Sequence, residues 1–359
     1  MPALRKLIKT TGASVLNCLA IDKLIGMGNG ARRAPLIVCY HRVVRDFVDS
    51  SVHSMPSLLI STEMFEKQLD WLAENYDLVS MDEVMQALNG NRKAGKKQLA
   101  TITFDDGYVD FYWNAFPILK RKGIASCVFV VTNLVGTENL QTHDELYLML
   151  SLCMSPETPL ARIAADTQTK RLVQIIGKQP DPYSAARHIL SSFSNSEVIQ
   201  LIELMRDRIH VSAQHLKELR SLSWSMLRTL SVQGVTIGSH TQSHALLPRY
   251  EQTLMEKELA ASRRRLELEL GMPIKYLAYP DGQFDERTAQ AAEAAGYAAA
   301  VTTCQHTSTK RPNFALPRRL LWEKSCTNRR DEFSPAIMSC LLNGVFQYPD
   351  NCAQDHSVS

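Results

Sequence analysis

Hydrophobic positions along this chain follow two periods that alternate. LIVCY (36–40), TITF (101–104), ASCVFVV (125–131), VTIGSH (235–240), IKYLAYP (274–280) and YAAAVTT (297–303) are short, nearly continuous apolar runs. Their length and β-branched content read as strands buried on both faces. Between them apolar residues recur every three or four positions, as Met64, Phe65, Leu69 and Leu72 do in STEMFEKQLDWLAENY, which predicts helices. Further helices are predicted at FYWNAFPILKRKG (111–123), WSMLRTLSVQG (224–234), about 251–270 and ERTAQAAEAAG (286–296). Lys120, Arg121, Lys122 and Gly123 finish one of them as basic residues and glycine finish helices. Strand, helix, strand in this rhythm predicts βαβ units, a parallel sheet and an α/β fold.

The rhythm breaks at 137–220. DELYLMLSL, ARIAADTQTKRLVQIIG and SEVIQLIELMRDRI carry helical spacing with no strand between them. This stretch reads as a helical insertion within one α/β unit over 35–345. Residues 346–359 form a polar tail expected to be disordered. Residues 1–34 read as a basic amphipathic helix or linker: Leu4, Leu7, Ile8, Val15 and Leu19 fall near one helical face, and Asp22 is the only acid. Such a helix either packs on the domain or leans on an anionic membrane, making a peripheral contact. Asn17 interrupts the apolar stretch and no small-x-small site follows. This argues against a secretory signal and for a cytoplasmic location, extending to the inner face of the membrane.

Composition removes some classes. Forty Lys+Arg against 37 Asp+Glu leave a net charge of +3 in 359 residues, too balanced for a nucleic-acid partner. The eight Cys are scattered without a C-x-x-C pair, and Cys39 and Cys127 lie in apolar runs. They read as reduced core thiols.

Candidate chemistry sits where predicted strands end. TITF runs directly into Asp105, Asp106 and Gly107. Two adjacent carboxylates at the end of a buried strand repel each other and resist leaving water, so either the pair is a plain turn or a cation holds it. The strand VTIGS runs into His240 and His244. In a parallel α/β sheet the loops at the carboxyl ends of the strands converge on one face. Two imidazoles and one carboxylate form a standard open zinc set, leaving the other carboxylate beside it as a base. Adjacent residues point opposite ways, so one Asp is a ligand and one is free; the sequence leaves open which.

TFDDGY, HTQSH and AYPDG resemble the first three motifs of the polysaccharide deacetylase family, the NodB-homology or carbohydrate esterase family 4 proteins. The resemblance runs from about Pro35 to Arg319. YHRV, IGSHTQSH and the charged helix before AYPDG are similar to the exopolysaccharide-associated branch. The resemblance implies a distorted (β/α) barrel of seven strands and a hydrolase removing N-acetyl groups from amino sugars. Asp105 would be the general base, and Asp106, His240 and His244 the metal triad. Attack would come from metal-bound water, with the Tyr108 backbone N–H as an oxyanion donor. The implied metal is zinc, with cobalt as the second choice. The implied partner is an acetylated polysaccharide, oligosaccharide or lipid-linked glycan.

The sequence departs from the pattern in places. Where many members carry Arg-x-Pro-Tyr, this chain has Ala278-Tyr279-Pro280-Asp281. Something else must orient Asp105, and Arg318 in ALPRRLL is the candidate. The usual late catalytic His has no match; His306 reads as a loop residue. His41, Pro280 and Asp281 are candidates for lining the substrate groove. Trp71, Trp113, Trp224 and Trp322 read mostly as core aromatics. Two other readings stay open: the same chemistry on another substrate (an O-acetyl esterase, a deformylase or another amide hydrolase), and a catalytically idle glycan-binding protein.

Overall fold

The computed structural model describes residues 2–346 except 33, 92–94, 156–173, 175, 207, 210 and 305. The expected tail from 347, most of ARIAADTQTKRLVQIIG and His210 lie outside the described residues.

Strands β1 (Leu36–Tyr40), β4 (Asp77–Leu78), β5 (Leu99–Phe104), β6 (Ser126–Val130), β7 (Thr236–Ser239), β8 (Tyr276–Ala278), β9 (Ala299–Thr302), β10 (Leu316–Pro317) and β11 (Arg319–Leu320) form one sheet, while β2 (Arg42–Val44) and β3 (Leu59–Ser61) pair separately. Every pairing is parallel. The large sheet runs β10-β9-β8-β7-β6-β5-β1-β11. Its two ends are neighbouring halves of one stretch: Leu316 and Pro317 pair with β9, and Arg319 and Leu320 pair with β1. The sheet therefore closes into a barrel of seven staves with the seam at Arg318.

The continuous apolar runs have a simple cause. Alternate residues of each stave feed two different cores, as the two-residue side-chain period dictates. Val38, Ile102, Val128 and Leu277 join the core under the outer helices, whereas Ile37, Phe129, Tyr276 and Val301 fill the barrel. Met81, Val84 and Met85, on a helix with a Ser80–Glu83 capping box, belong to the barrel's own core and plug its amino end.

Between β6 and β7 the chain forms helices Thr142–Cys153, Pro182–Ser192, Asn195–Arg206 and Ala213–Glu218. They share a separate core that includes Leu146, Leu150, Ile189, Ile202 and Met205. The N-terminal helix Pro2–Cys18 lays Ala13 and Leu16 on Ile337 and Cys340 of helix Pro335–Leu342. Asp22 is fully buried and accepts hydrogen bonds from the Ser339 hydroxyl and Asn343. Among the described residues, no helix is long and apolar enough to cross a membrane. Two sequence expectations need correction. Trp113 is 61% exposed, because it sits on the outer side of a π-type turn rather than in the core. Cys304 is disulfide-bonded, while six other cysteines are free thiols.

Candidate active site

The register sets the site. Tyr40 pairs with Phe104 and Val130 with Ser239, so the next residues, His41, Asp105 and His240, emerge at one level of the barrel mouth. The chain then turns sharply. Asp106 and Gly107 both take φ 67°, the left-handed region that disfavours most side chains. Gly107 is further required because a Cβ there would lie 2.6 Å from Val130 Cγ1.

The turn sends the two carboxylates into different surroundings. Arg318 Nη1 and Nη2 donate to Asp105 Oδ1 and Oδ2 at 2.7 and 2.6 Å. Burial alone would raise the Asp105 pKa, but the Arg318 charge and then those of His240 and His41 hold it below the usual carboxylate range. Asp106 Oδ1 instead faces His244 Nε2 at 3.3 Å and His240 Nε2 at 3.6 Å. Burial pushes Asp106 up as well, yet the His244 hydrogen bond and the imidazole charges dominate and hold it far down. His240 Nδ1 lies 2.8 Å from the Ala278 carbonyl. A carbonyl only accepts, so Nδ1 carries the proton and Nε2 presents its lone pair toward Asp106. Burial pulls the His240 pKa down to about 4.

Strain is concentrated here. Among the described residues, Asp106, Thr241, His244 and Asp281 are four of the six non-glycine residues with positive φ. The His240–His244 loop is held from the long helix Gln252–Leu270. Glu258 accepts from the Gln242 and Ser243 backbone N–H groups and the Ser243 hydroxyl at 3.0, 2.9 and 2.7 Å. Ser262 donates to the Thr241 carbonyl at 3.0 Å. These bonds offset the cost of the left-handed residues.

The remaining predicted residues are also located. His41 Nε2 lies 4.0 Å from Asp106 Oδ2. Tyr108 forms an isolated antiparallel bridge with Ser221, whose flanking bonds are Val109 N–H to Arg220 and Leu222 N–H to Gly107. This pattern turns the Tyr108 N–H away from the ladder. Pro280 is buried and Asp281 exposed, and the charge of Asp281 is felt at His244. His306 instead stacks on Phe284, with ring centroids 4.1 Å apart.

Three residues of the insertion enter the site without any signal the sequence reading caught. Gln141 Nε2 donates to Asp106 Oδ1 at 3.0 Å. The Tyr108 hydroxyl donates to Asp144 at 2.6 Å and lies 3.1 Å from His143 Nε2. The His143 and His244 ring centroids are 5.5 Å apart.

The parallel α/β barrel thus carries at its carboxyl end an Asp-His-His cluster that could hold a metal ion and, beside it, a second, Arg-paired Asp. Residues 92–300 match the family described as Polysaccharide deacetylase, and the chain belongs to the polysaccharide deacetylase family. YxkH of Bacillus subtilis, a relative named for the same family, is 23% identical over 254 residues, 70% of this chain and 62% of its own length. The poly-beta-1,6-N-acetyl-D-glucosamine N-deacetylase of Staphylococcus aureus is 32% identical over 119 residues, 30% of this chain and 40% of its own length. The chain thus spans less than two thirds of these curated relatives. IcaB from Ammonifex degensii shares the fold with a TM-score of 0.53 at 18% identity, covering 86% of this chain and 97% of that one. The Streptococcus pyogenes deacetylase PplD gives 0.52 at 19%, covering 82% and 95%.

Proposed function

We propose that this protein is a metal-dependent deacetylase that hydrolyses N-acetyl groups of amino sugars in an exopolysaccharide-type glycan. The observation that carries this reading is the division of the acid pair: Asp105 locked by Arg318, Asp106 turned to two imidazoles. The donor set fits a divalent metal. One ligand atom from each of Asp106, His240 and His244 lies within 4.8 Å of the others, and the Ala278 carbonyl fixes His240 in the ligating tautomer. Bound there, zinc (or cobalt) supplies Lewis-acid polarisation of the acetamide carbonyl and acidifies water.

The chain's own groups do the rest. Asp105 takes the proton of the attacking water. Its Oδ1 keeps a lone-pair direction beyond the bond to Arg318, whereas Oδ2 also accepts from Cys39 Sγ at 3.5 Å, and the guanidinium keeps the carboxylate ionised and oriented. The Tyr108 N–H donates to the developing oxyanion. His41, beside Asp106 and partly exposed, returns a proton to the leaving sugar nitrogen, giving acetate and a free amine. Pro280 and Asp281 form one wall of the groove.

The test is metal content together with acetate release from chito-oligosaccharides and poly-N-acetylglucosamine. Bound zinc with acetate release is expected. Asp105→Asn should keep the metal and lose turnover, and Asp106→Asn should lose both. Metal without amino-sugar turnover moves the reading to an ester or another amide; no metal moves it to an idle glycan binder.

We further propose that the protein works on a lipid-linked glycan at the inner face of an anionic membrane, through its N-terminal helix. Ile8, Val15 and Leu19 are 63%, 52% and 62% exposed. They fall within about 40° of one another on the helical wheel, opposite Ala13. The only acid of residues 1–34, Asp22, is buried, and the exposed acid beside the first helix, Asp331, is paired with Lys6 at 2.7 Å. The six free thiols support a reducing compartment, and the Cys304 disulfide is the observation against it.

A further inference from the structure

We propose that the first turn of the insertion helix Thr142–Cys153 is a clamp on the catalytic turn, with Gln141 and Asp144 as positioning residues. The inference rests on the deacetylase reading and adds residues to it. Gln141 occupies the N-cap of that helix but makes no capping bond. An N-cap side chain ordinarily satisfies a free helix N–H; this one is 3% exposed and spends its amide on Asp106 Oδ1. Asp144, in the first turn, is fully buried. It accepts the Tyr108 hydroxyl at 2.6 Å, and the helix N-terminus favours its negative charge.

Tyr108 is held from a second side. The Arg42 guanidinium lies 5.0 Å over its ring and is itself fixed by Asp110, Ser54 and the Glu218 carbonyl, each at 2.7 Å. The hydroxyl is already a donor to Asp144, so toward His143 Nε2, 3.1 Å away, it acts as acceptor. The two flanks of Gly107 are thus pinned by one helical turn: Asp106 by Gln141, Tyr108 by Asp144. Gly107, at φ 67°, lies between them; its N–H donates to the Asp105 carbonyl and its own carbonyl accepts from Leu222, both at 2.8 Å, so the two side-chain pins act on a turn whose backbone is already tied. The clamp fixes the ligand carboxylate through one flank and the oxyanion-donating N–H through the other. A 35-residue separation, as between Asp106 and Gln141, hides this from sequence.

Two variants separate the two arms. Gln141→Met keeps the volume and removes the donor; zinc affinity, read by competition with a chromophoric chelator, should weaken about 10-fold or more, and saturating zinc should restore kcat. Tyr108→Phe removes only the hydroxyl bond; kcat should fall about 10-fold at unchanged zinc affinity and KM. Gln141→Glu puts a carboxylate against Asp106 and should depress zinc-free thermal stability, which zinc should restore. If both neutral variants lower Tm while leaving zinc affinity and kcat at wild-type values, the turn is structural only and the clamp is refuted. A wild-type chain with neither zinc uptake nor acetate release refutes the underlying reading, and this one with it.

Discussion

Asp105 and Asp106 are one bond apart in chemistry and far apart in circumstance, and the difference is made by Arg318. Its guanidinium is buried and bidentate on Asp105. Lysine keeps the charge and loses the fork. Arg318→Lys should therefore lower kcat about 100-fold with zinc affinity within about twofold of wild type, as measured by steady-state kinetics beside a chelator titration. His244 leads to a pH prediction. Burial would lower its pKa, but the hydrogen bond and charge of Asp106 raise it above the ordinary imidazole value. The raised pKa means a proton must leave before the ring can ligate. Zinc affinity should fall as pH drops, beginning above the ordinary imidazole value of about 6.5, and proton release on zinc binding should be visible by calorimetry in buffers of different ionisation enthalpy. At this scale the sequence was legible where the signal was local. Asp105-Asp106 and His240-x-x-x-His244 are written in short runs, and Arg318 was found only because the usual third-motif Arg was missing. Gln141, Asp144, Glu258 and Ser262 act through tertiary contacts alone, and nothing in their neighbours marks them.

Among the elements, the turn after β5 carries the largest local cost. Gly107→Ala meets two obstacles at once, a left-handed φ and a Cβ 2.6 Å from Val130. It should destabilise the fold by about 2–4 kcal/mol, lowering Tm by several degrees, whereas Gly90→Ala, with positive φ but open space, should cost about 1–2 kcal/mol. Differential scanning calorimetry on both separates strain from clash. The staves were readable because each is a continuous apolar run, and the outer helices because their period differs. The closing pair β10 and β11 was not: two residues each, one of them a proline, is too short for any periodic signal. The β2–β3 pair is hidden for the same reason.

For the whole molecule, the N-terminal helix makes a surface prediction. Co-sedimentation with phosphatidylglycerol vesicles should exceed that with phosphatidylcholine vesicles and weaken with salt. Ile8→Glu combined with Val15→Glu and Leu19→Glu should abolish it while leaving Tm unchanged, since all three side chains are exposed. Equal pelleting of this triple variant and the wild type would remove the membrane from the proposal.

The seam of the barrel has a consequence in time. Residues 92–300, the stretch that matches the family, hold the Asp-His-His cluster, but Arg318, the partner of the proposed base Asp105, arrives only with Leu316–Leu320, the piece that joins first stave to last. A nascent chain that has emerged from the ribosome as far as β9 already owns every proposed metal ligand and still has an unclasped Asp105. Closing the ring and clasping Asp105 are a single docking event, so the proposed hydrolysis would await the completed barrel.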